Sequence, residues 1–309
     1  MNNICVLGSI NMDVVLKVKR MPKVGETIFA TDIKNIPGGK GANQAVACSR
    51  LGANVYMISK SGKDGNGEIL VKELVKDNIN VDFVFMEEKL LTGTAIITVD
   101  REANNSIIVA SGANMSIEKS EINKAKEAIE KSDIIISQFE TPVEATIEAF
   151  KIAKENNKTT ILNPAPAKEI DKGLLKYTDI IIPNETEAFE ITGVEVKNLE
   201  DAEKASKVLF EEGVKCVIIT LGSKGAAVIT KEDSEIVPAF KVEALDTTAA
   251  GDSFIGAFAS KLNVENLSFD NIKSSVKFGN KVSSIAVQRE GAQPSIPYLR
   301  EIKEIYGEE

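Results

Sequence analysis

The stretch DTTAAGDSFIG, residues 246–256, sets two aspartates around a run of small residues directly before an apolar segment that reads as a buried helix. Ala249, Ala250 and Gly251 would present successive backbone N–H groups at a helix start with no bulky side chain in the way, a geometry that favours negative charge. Asp252, in the first turn, would be held as an anion by the same dipole and so be able to accept a hydroxyl proton. Together they suit phosphoryl transfer, in which the group in flight needs charge stabilisation and the attacking alcohol needs a base. The plainer alternative is a tight helix start against a sheet, with an ordinary acidic residue in its first turn.

Three further groups carry chemistry. In PGGKGANQAVACSRLGAN, residues 37–54, Gly38, Gly39 and Gly41 remove side chains where the backbone meets a helix start, and Lys40 and Asn43 make that start a polar ligand site. Neither a GxxxxGK[ST] loop nor a GxGxxG fingerprint can be drawn through it, and a purely structural glycine turn is the alternative. In GSINMD, residues 8–13, Asn11 and Asp13 stand two apart, so in extended chain they point to one side and offer donors and acceptors to sugar hydroxyls. An Asx turn leaving a strand would use the same residues. Glu140 after DIIISQF, NETE (184–187) after DIIIP and LGSKG (221–225) after KCVIIT sit where strands would end. The carboxyl ends of strands in an open parallel sheet are where ligands bind. Glu187 there could act on Mg²⁺ directly or through water, although acidic residues opening a helix are also favoured by its dipole.

Composition narrows the chemistry. With no histidine among 309 residues, acid–base work falls to Asp, Glu, Lys, Tyr or Cys, and any metal should be held by oxygen, as Mg²⁺ or a monovalent cation is. A net charge of -9 gives no field for nucleic acid or an anionic membrane, so a small anion needs a local site. Cys5, Cys48 and Cys216 are far apart in apolar runs and read as reduced core residues of a cytoplasmic protein. The first apolar run, ICVLGSI, lacks a basic leader and is followed by Asn11 and Asp13, which argues against a signal peptide or anchor.

These residues must be positioned by regular elements. Ile/Val-rich runs at 4–10, 54–60, 133–139, 159–165, 179–184 and 215–222 read as strands buried on both faces. Between them SIEKSEINKAKEAIEKS, PVEATIEAFKIAKENN and LEDAEKASKVLFEEG have helical spacing, the last ending on Gly213. The alternation predicts a Rossmann-like three-layer α/β sandwich with a mostly parallel central sheet, one domain over residues 1–309. Residues 13–36 and 93–110 alternate more loosely, with turn signals at Pro22, Gly25 and Asn104–Asn105, and read as a small β-sheet lid over a cleft; an edge hairpin is the alternative.

In order, GSINMD, GGKGANQAVA, LNPAPA, PNETE, ITLGSKG, DTTAAGD and REGAQPS resemble the PfkB family of carbohydrate kinases, in its ribokinase branch, over nearly the whole chain. The resemblance implies transfer of the ATP γ-phosphate to the 5-hydroxyl of ribose and a homodimer paired through the β-lid. It assigns Asn11, Asp13, Gly39, Lys40, Asn43, Glu140 and Asp252 to the sugar, and Asn184, Thr220, Gly222, Lys224, Gly225, Gly251 and Asn280 to ATP. It makes Glu187 the residue linked to Mg²⁺, Asp252 the catalytic base, and Ala249, Ala250 and Gly251 the anion hole. Asp246, Thr248, Ala286, Arg289, Gly291 and Ser295 match a K⁺ site, several through backbone carbonyls. Met12 is larger than the residue usual between the sugar-binding pair, though alternation should turn it away. Asn280 stands where some members carry histidine. A sister kinase for deoxyribose, a ketohexose or a nucleoside, and a non-catalytic sugar or nucleotide sensor, are the alternatives.

Overall fold

The computed structural model describes residues 1–102 and 104–307. Its strands, in chain order, are β1 (Asn3–Leu7), β2 (Asn11–Lys17), β3 (Asp32–Gly38), β4 (Asn54–Gly62), β5 (Asn80–Glu87), β6 (Gly93–Val99), β7 (Asn105–Ala110), β8 (Ile134–Ser137), β9 (Thr159–Leu162), β10 (Ile180–Ile181), β11 (Cys216–Thr220), β12 (Ala226–Ile229) and β13 (Ser234–Val237). A nine-stranded sheet runs β13-β12-β11-β10-β9-β8-β1-β4-β5, parallel except where β12 and β13 add an antiparallel edge. Each expected apolar run overlaps one of its parallel strands. The three-layer arrangement follows from a side-chain period of two. Ile4 and Val6 of β1, Ile134 and Ile136 of β8, and Cys216 and Ile218 of β11 enter one core. The residues between them, Cys5, Ile135 and Val217, enter the core on the opposite face.

Strand β1 lies between β8 and β4, so the chain leaves it in one direction and later returns on the other side. Such a switch opens a crevice at the carboxyl ends of the strands. Two helices converge on that crevice by their N-termini, Lys40–Arg50 and Ala250–Lys261. They are unusually close: a Cβ added at Gly256 would lie 2.4 Å from Ala47 Cβ and 2.9 Å from the Gln44 carbonyl.

The second sheet has four strands in the order β3-β2-β6-β7. Its β2–β3 pair begins two residues earlier and ends two residues later than the expected lid segment 13–36, because Asn11 pairs with Gly38. Asn11 and Asp13 therefore belong to the small sheet itself, and Met12 between them turns into the main core, as alternation requires. Ile33, Ile96, Ile107 and Ile108 are exposed on this sheet.

Strands β5, β12 and β13 escaped the sequence reading. β5 is broken by polar residues and half-buried at an edge, and β13 carries Ser234 and Glu235 at the other edge. The helical stretch 116–132 divides at Ala125 into Lys119–Lys124 and Lys126–Lys131. Among the described residues no helix is long and apolar enough to cross a membrane.

Gly256→Ala should destabilise the protein by roughly 1–3 kcal/mol through overpacking, despite the better helix propensity of alanine, and urea unfolding measures it.

Candidate active site

The crevice narrows to a cavity of about 210 Å³ whose lining includes Lys40, Asn184, Glu187, Thr220, Ala249, Ala250, Gly251 and Asp252. Residues separated by more than 200 positions thus meet where the two helix N-termini face the strand ends. Asn184 caps the helix Glu185–Thr192: its side chain accepts from the Glu187 amide at 2.8 Å, and Glu187 Oε2 accepts from the Asn184 amide at 2.9 Å. This reciprocal cap fixes the NETE segment, while the bridge from Asn184 to Thr220 joins it to β11.

Ala249 precedes the Ala250 helix with φ +57°, a left-handed conformation that costs a non-glycine residue about 1–2 kcal/mol. The other non-glycine residues with positive φ among those described are the turn asparagines Asn78 and Asn157, so strain on an alanine is specific to this site. The Ala250 amide donates to Thr247 O at 3.2 Å, closing the turn, and the first bond down the helix runs from Ser253 N to Ala249 O. Gly251 is not a packing glycine: an added Cβ would meet nothing within 4 Å. The missing side chain matters only to something that enters the cavity.

Asp252 is buried, and two amides hold its carboxylate. Asn43 Nδ2 donates to Oδ2 and Gln44 Nε2 to Oδ1, each at 3.0 Å. Asn43 Oδ1 is left buried without a partner, an acceptor that no protein group uses. Lys40 opens its helix beside Glu140, whose Oε2 accepts from the Lys40 amide at 3.3 Å and from Ser9 Oγ at 2.5 Å. Burial disfavours the Lys40 charge, but Asp252, Glu140 and Glu187 outweigh it and raise the lysine above its ordinary range. Burial also raises Glu187; the Asn184 amide and Lys40 oppose this, and Asp252 adds to it.

On the small sheet, Asp13 packs against Gly38 so closely that a Cβ there would lie 2.2 Å from Asp13 Oδ2. Gly39 has φ +91°, and a side chain on it would meet the Asn11 amide at 2.7 Å. Both glycines are therefore required for the strand-to-helix passage. Asn114, which the sequence did not signal, holds Asn11: its Nδ2 donates to Asn11 Oδ1 at 2.7 Å. Burial, then the Glu140 and Asp252 carboxylates, push Asp13 up to about 7.

The remaining expected residues lie outside this cavity. Gly222, Lys224 and Gly225 form the turn after β11, and Gly225 lies against Val237 and Ala239. Asn280 is adjacent: its Nδ2 donates to the carbonyls of Val237 and Pro238, both at 3.1 Å, so it braces that shelf. Asp246 Oδ1 accepts from the Thr248 amide and hydroxyl, and Oδ2 from the Gly291 amide at 2.8 Å, joining the two loops expected to hold a cation. Burial acts against its charge, yet these donors hold it below the usual carboxylate range. Arg289 sends its guanidinium to Glu301, and the Ala286 carbonyl accepts from the Arg289 amide. Ser295 is buried, its hydroxyl donating to Ala292 O. Among the described residues no group of three or more Cys, Asp or Glu side chains could hold a metal by itself.

The model of pfkB family carbohydrate kinases matches residues 1–299. A ribokinase of Staphylococcus aureus is 43% identical over 305 residues, covering 98% of this chain and 99% of its own. A deoxyribokinase of Salmonella typhi is 34% identical over 303 residues, with 98% of each chain covered. The solved structure of the Arabidopsis thaliana ribokinase complexed with ribose and ATP is 31% identical, covers 98% of both chains and has a TM-score of 0.91. The fold and these relatives define a phosphotransferase. The chain belongs to the PfkB family of carbohydrate kinases.

An aspartate that titrates near 7 when folded but near 3.8 when unfolded binds its proton more tightly in the native state. Its contribution is full below the unfolded value and is lost as pH rises through the folded one. Urea unfolding at pH 5 and pH 8 should therefore show the parent losing stability relative to Asp13→Asn, on the order of 2–3 kcal/mol at most.

Proposed function

We propose that the protein transfers the γ-phosphoryl group of ATP to the 5-hydroxyl of ribose. The observation that carries this reading is the Asp252 carboxylate, fixed by two amide donors beside the amide-bearing turn 249–251. Asp252 takes the hydroxyl proton, the sugar oxygen attacks the γ-phosphorus, and the bond to the β-phosphate oxygen breaks to leave ADP. The amides of Ala249 and Gly251 face the charge that develops, and the Ala250 amide joins them by exchanging its bond to Thr247 O for a phosphoryl oxygen; removing one such donor typically costs about 10²–10³ in rate. The strained Ala249 and the unfilled space over Gly251 support an anion there.

Asn11, Asp13, Gly39, Lys40, Asn43 and Glu140 hold the sugar. The unpartnered Asn43 Oδ1 suits a ligand hydroxyl, and an Asp13 that titrates near neutrality can donate as well as accept. ATP lies over Asn184, Thr220 and the 222–225 turn, with Lys224 beside the phosphates, Gly251 at the γ end and Asn280 supporting the adenine side. The residues present fit a phosphate-bound Mg²⁺, with Glu187 as its protein carboxylate, and the ion would supply charge neutralisation between the phosphates. The oxygen-only set of Asp246, Thr248, Ser295 and the carbonyls of Ala286, Arg289 and Gly291 fits K⁺, which would stiffen the loop that carries the anion hole. The small sheet closes over the sugar and excludes water, and Ile33, Ile96 and Ile108, exposed on the face opposite Asp13, are the surface on which two copies pair.

The relative that acts on deoxyribose favours a second reading, since one hydroxyl contact separates the two sugars. ADP release should be fastest with ribose in a panel of pentoses, ketohexoses and nucleosides, and faster in K⁺ than in Na⁺; a preference for 2-deoxyribose would replace the sugar assignment. Asp252→Asn should lower kcat by about 10²–10⁴ with sugar binding by calorimetry nearly unchanged, and near-normal turnover would rule out this base.

A further inference from the structure

Behind the base lies a chain of buried amides of which the reaction as described uses only the Gln44 donor. Gln44 and Gln138 are wholly buried, and Asn163 nearly so. The Ile182 carbonyl, which can only accept, takes the Asn163 Nδ2 hydrogen at 3.0 Å. Asn163 Oδ1 must then face Gln44, and it accepts from Gln44 Nε2 at 3.1 Å. The second hydrogen of that nitrogen goes to Asp252 Oδ1 at 3.0 Å, and Gln44 Oε1 accepts from Gln138 Nε2 at 2.7 Å. The polarity of the chain is thus set by a backbone carbonyl at one end and a carboxylate at the other. A reversed Gln44 amide would bring its oxygen against the oxygens of both Asn163 and Asp252.

Two observations separate this network from ordinary packing. Gln138 Oε1 is buried with no partner, a cost that satisfying the core would avoid. Gly8 also leaves the space this oxygen occupies, since a Cβ there would lie 2.2 Å from it.

We propose that Gln44 is a positioning residue for the base: oriented by Gln138 and Asn163, it directs one N–H at Asp252 Oδ1 and keeps the carboxylate an acceptor aimed into the cavity. The proposal rests on Asp252 being the base. Lys40, Asp13 and Glu187 also act on Asp252 electrostatically, from the Lys40 helix, β2 and the Glu185 helix, and the substitutions below leave them in place.

Gln44→Glu keeps the shape of the side chain but replaces the donor with an acceptor. At neutral pH its kcat should fall by about 10- to 100-fold. Its KM for ribose should change by less than about threefold. The acidic limb of its kcat–pH profile should move up by about one unit or more, a tenfold change in proton affinity. Gln138→Met, which leaves Gln44 in place but frees its orientation, should move the same limb in the same direction by less, and it decides the matter alone if Gln44→Glu does not fold. A folded variant with reduced thermal stability and an unmoved limb, alongside an inactive Asp252→Asn, would overturn the positioning assignment and leave the base intact. Near-parent turnover of Asp252→Asn would overturn both.

Discussion

The close crossing of two helices at Gly256 is the constraint on which the site depends. Ala47 and the Gln44 carbonyl occupy the space a side chain would need there. The Lys40 and Ala250 helices therefore approach at backbone distance, and their N-termini arrive together at one cavity. A wider crossing would carry Asn43 and Gln44 out of hydrogen-bond range of Asp252, because a hydrogen bond loses its geometry within a few tenths of an ångström. The positive end of each helix dipole is aimed at the same small volume. Glycine at position 256 in this way sets an electrostatic arrangement several residues away.

That volume is crowded with acid. Glu140, Glu187 and Asp252 act on Lys40, Glu140 and Asp252 act on Asp13, and Asp252 acts on Glu187, a strong imbalance for a buried region. The fold accommodates it without histidine. Glu187 is tied into a helix cap, Glu140 accepts from Ser9 and the Lys40 amide, and Asp252 is bound by two side-chain amides. Asp13 is the group left without such a donor among its larger influences, and its acidity gives way. A neutral hydroxylated ligand can enter such a site, since a carboxyl near its titration point serves as donor or acceptor.

Much of this was legible in the chain. Continuous Ile/Val runs over four to six residues report strands buried on both faces, and glycines next to Lys40 and Asp252 report backbone approach. The edge strands β5 and β13 were not legible, because a strand half in solvent carries polar residues that dilute any period, and the buried β12 was missed because its four residues, two of them alanines, are too short a run to signal a strand. Gln44 was visible beside Asn43 in GGKGANQ but indistinguishable from a helix-surface glutamine, and Asn114 and Gln138 carried no local signal. That the Asn280 amide hydrogens bind the Val237 and Pro238 carbonyls was likewise invisible in the sequence, because those residues lie more than 40 positions away.

By itself, then, the sequence determined the layer order, the strand ends at which polar groups collect, and the residue types able to bind an anion and accept a proton. These are local properties, written in periodicity and in the absence of side chains. Only the tertiary structure decided that Asp252 is gripped by Asn43 and Gln44, that Ala249 takes a left-handed conformation, and that Asp246 ties its loop to Gly291. Each of those depends on distances between segments remote in sequence, and such distances are set by how the core packs.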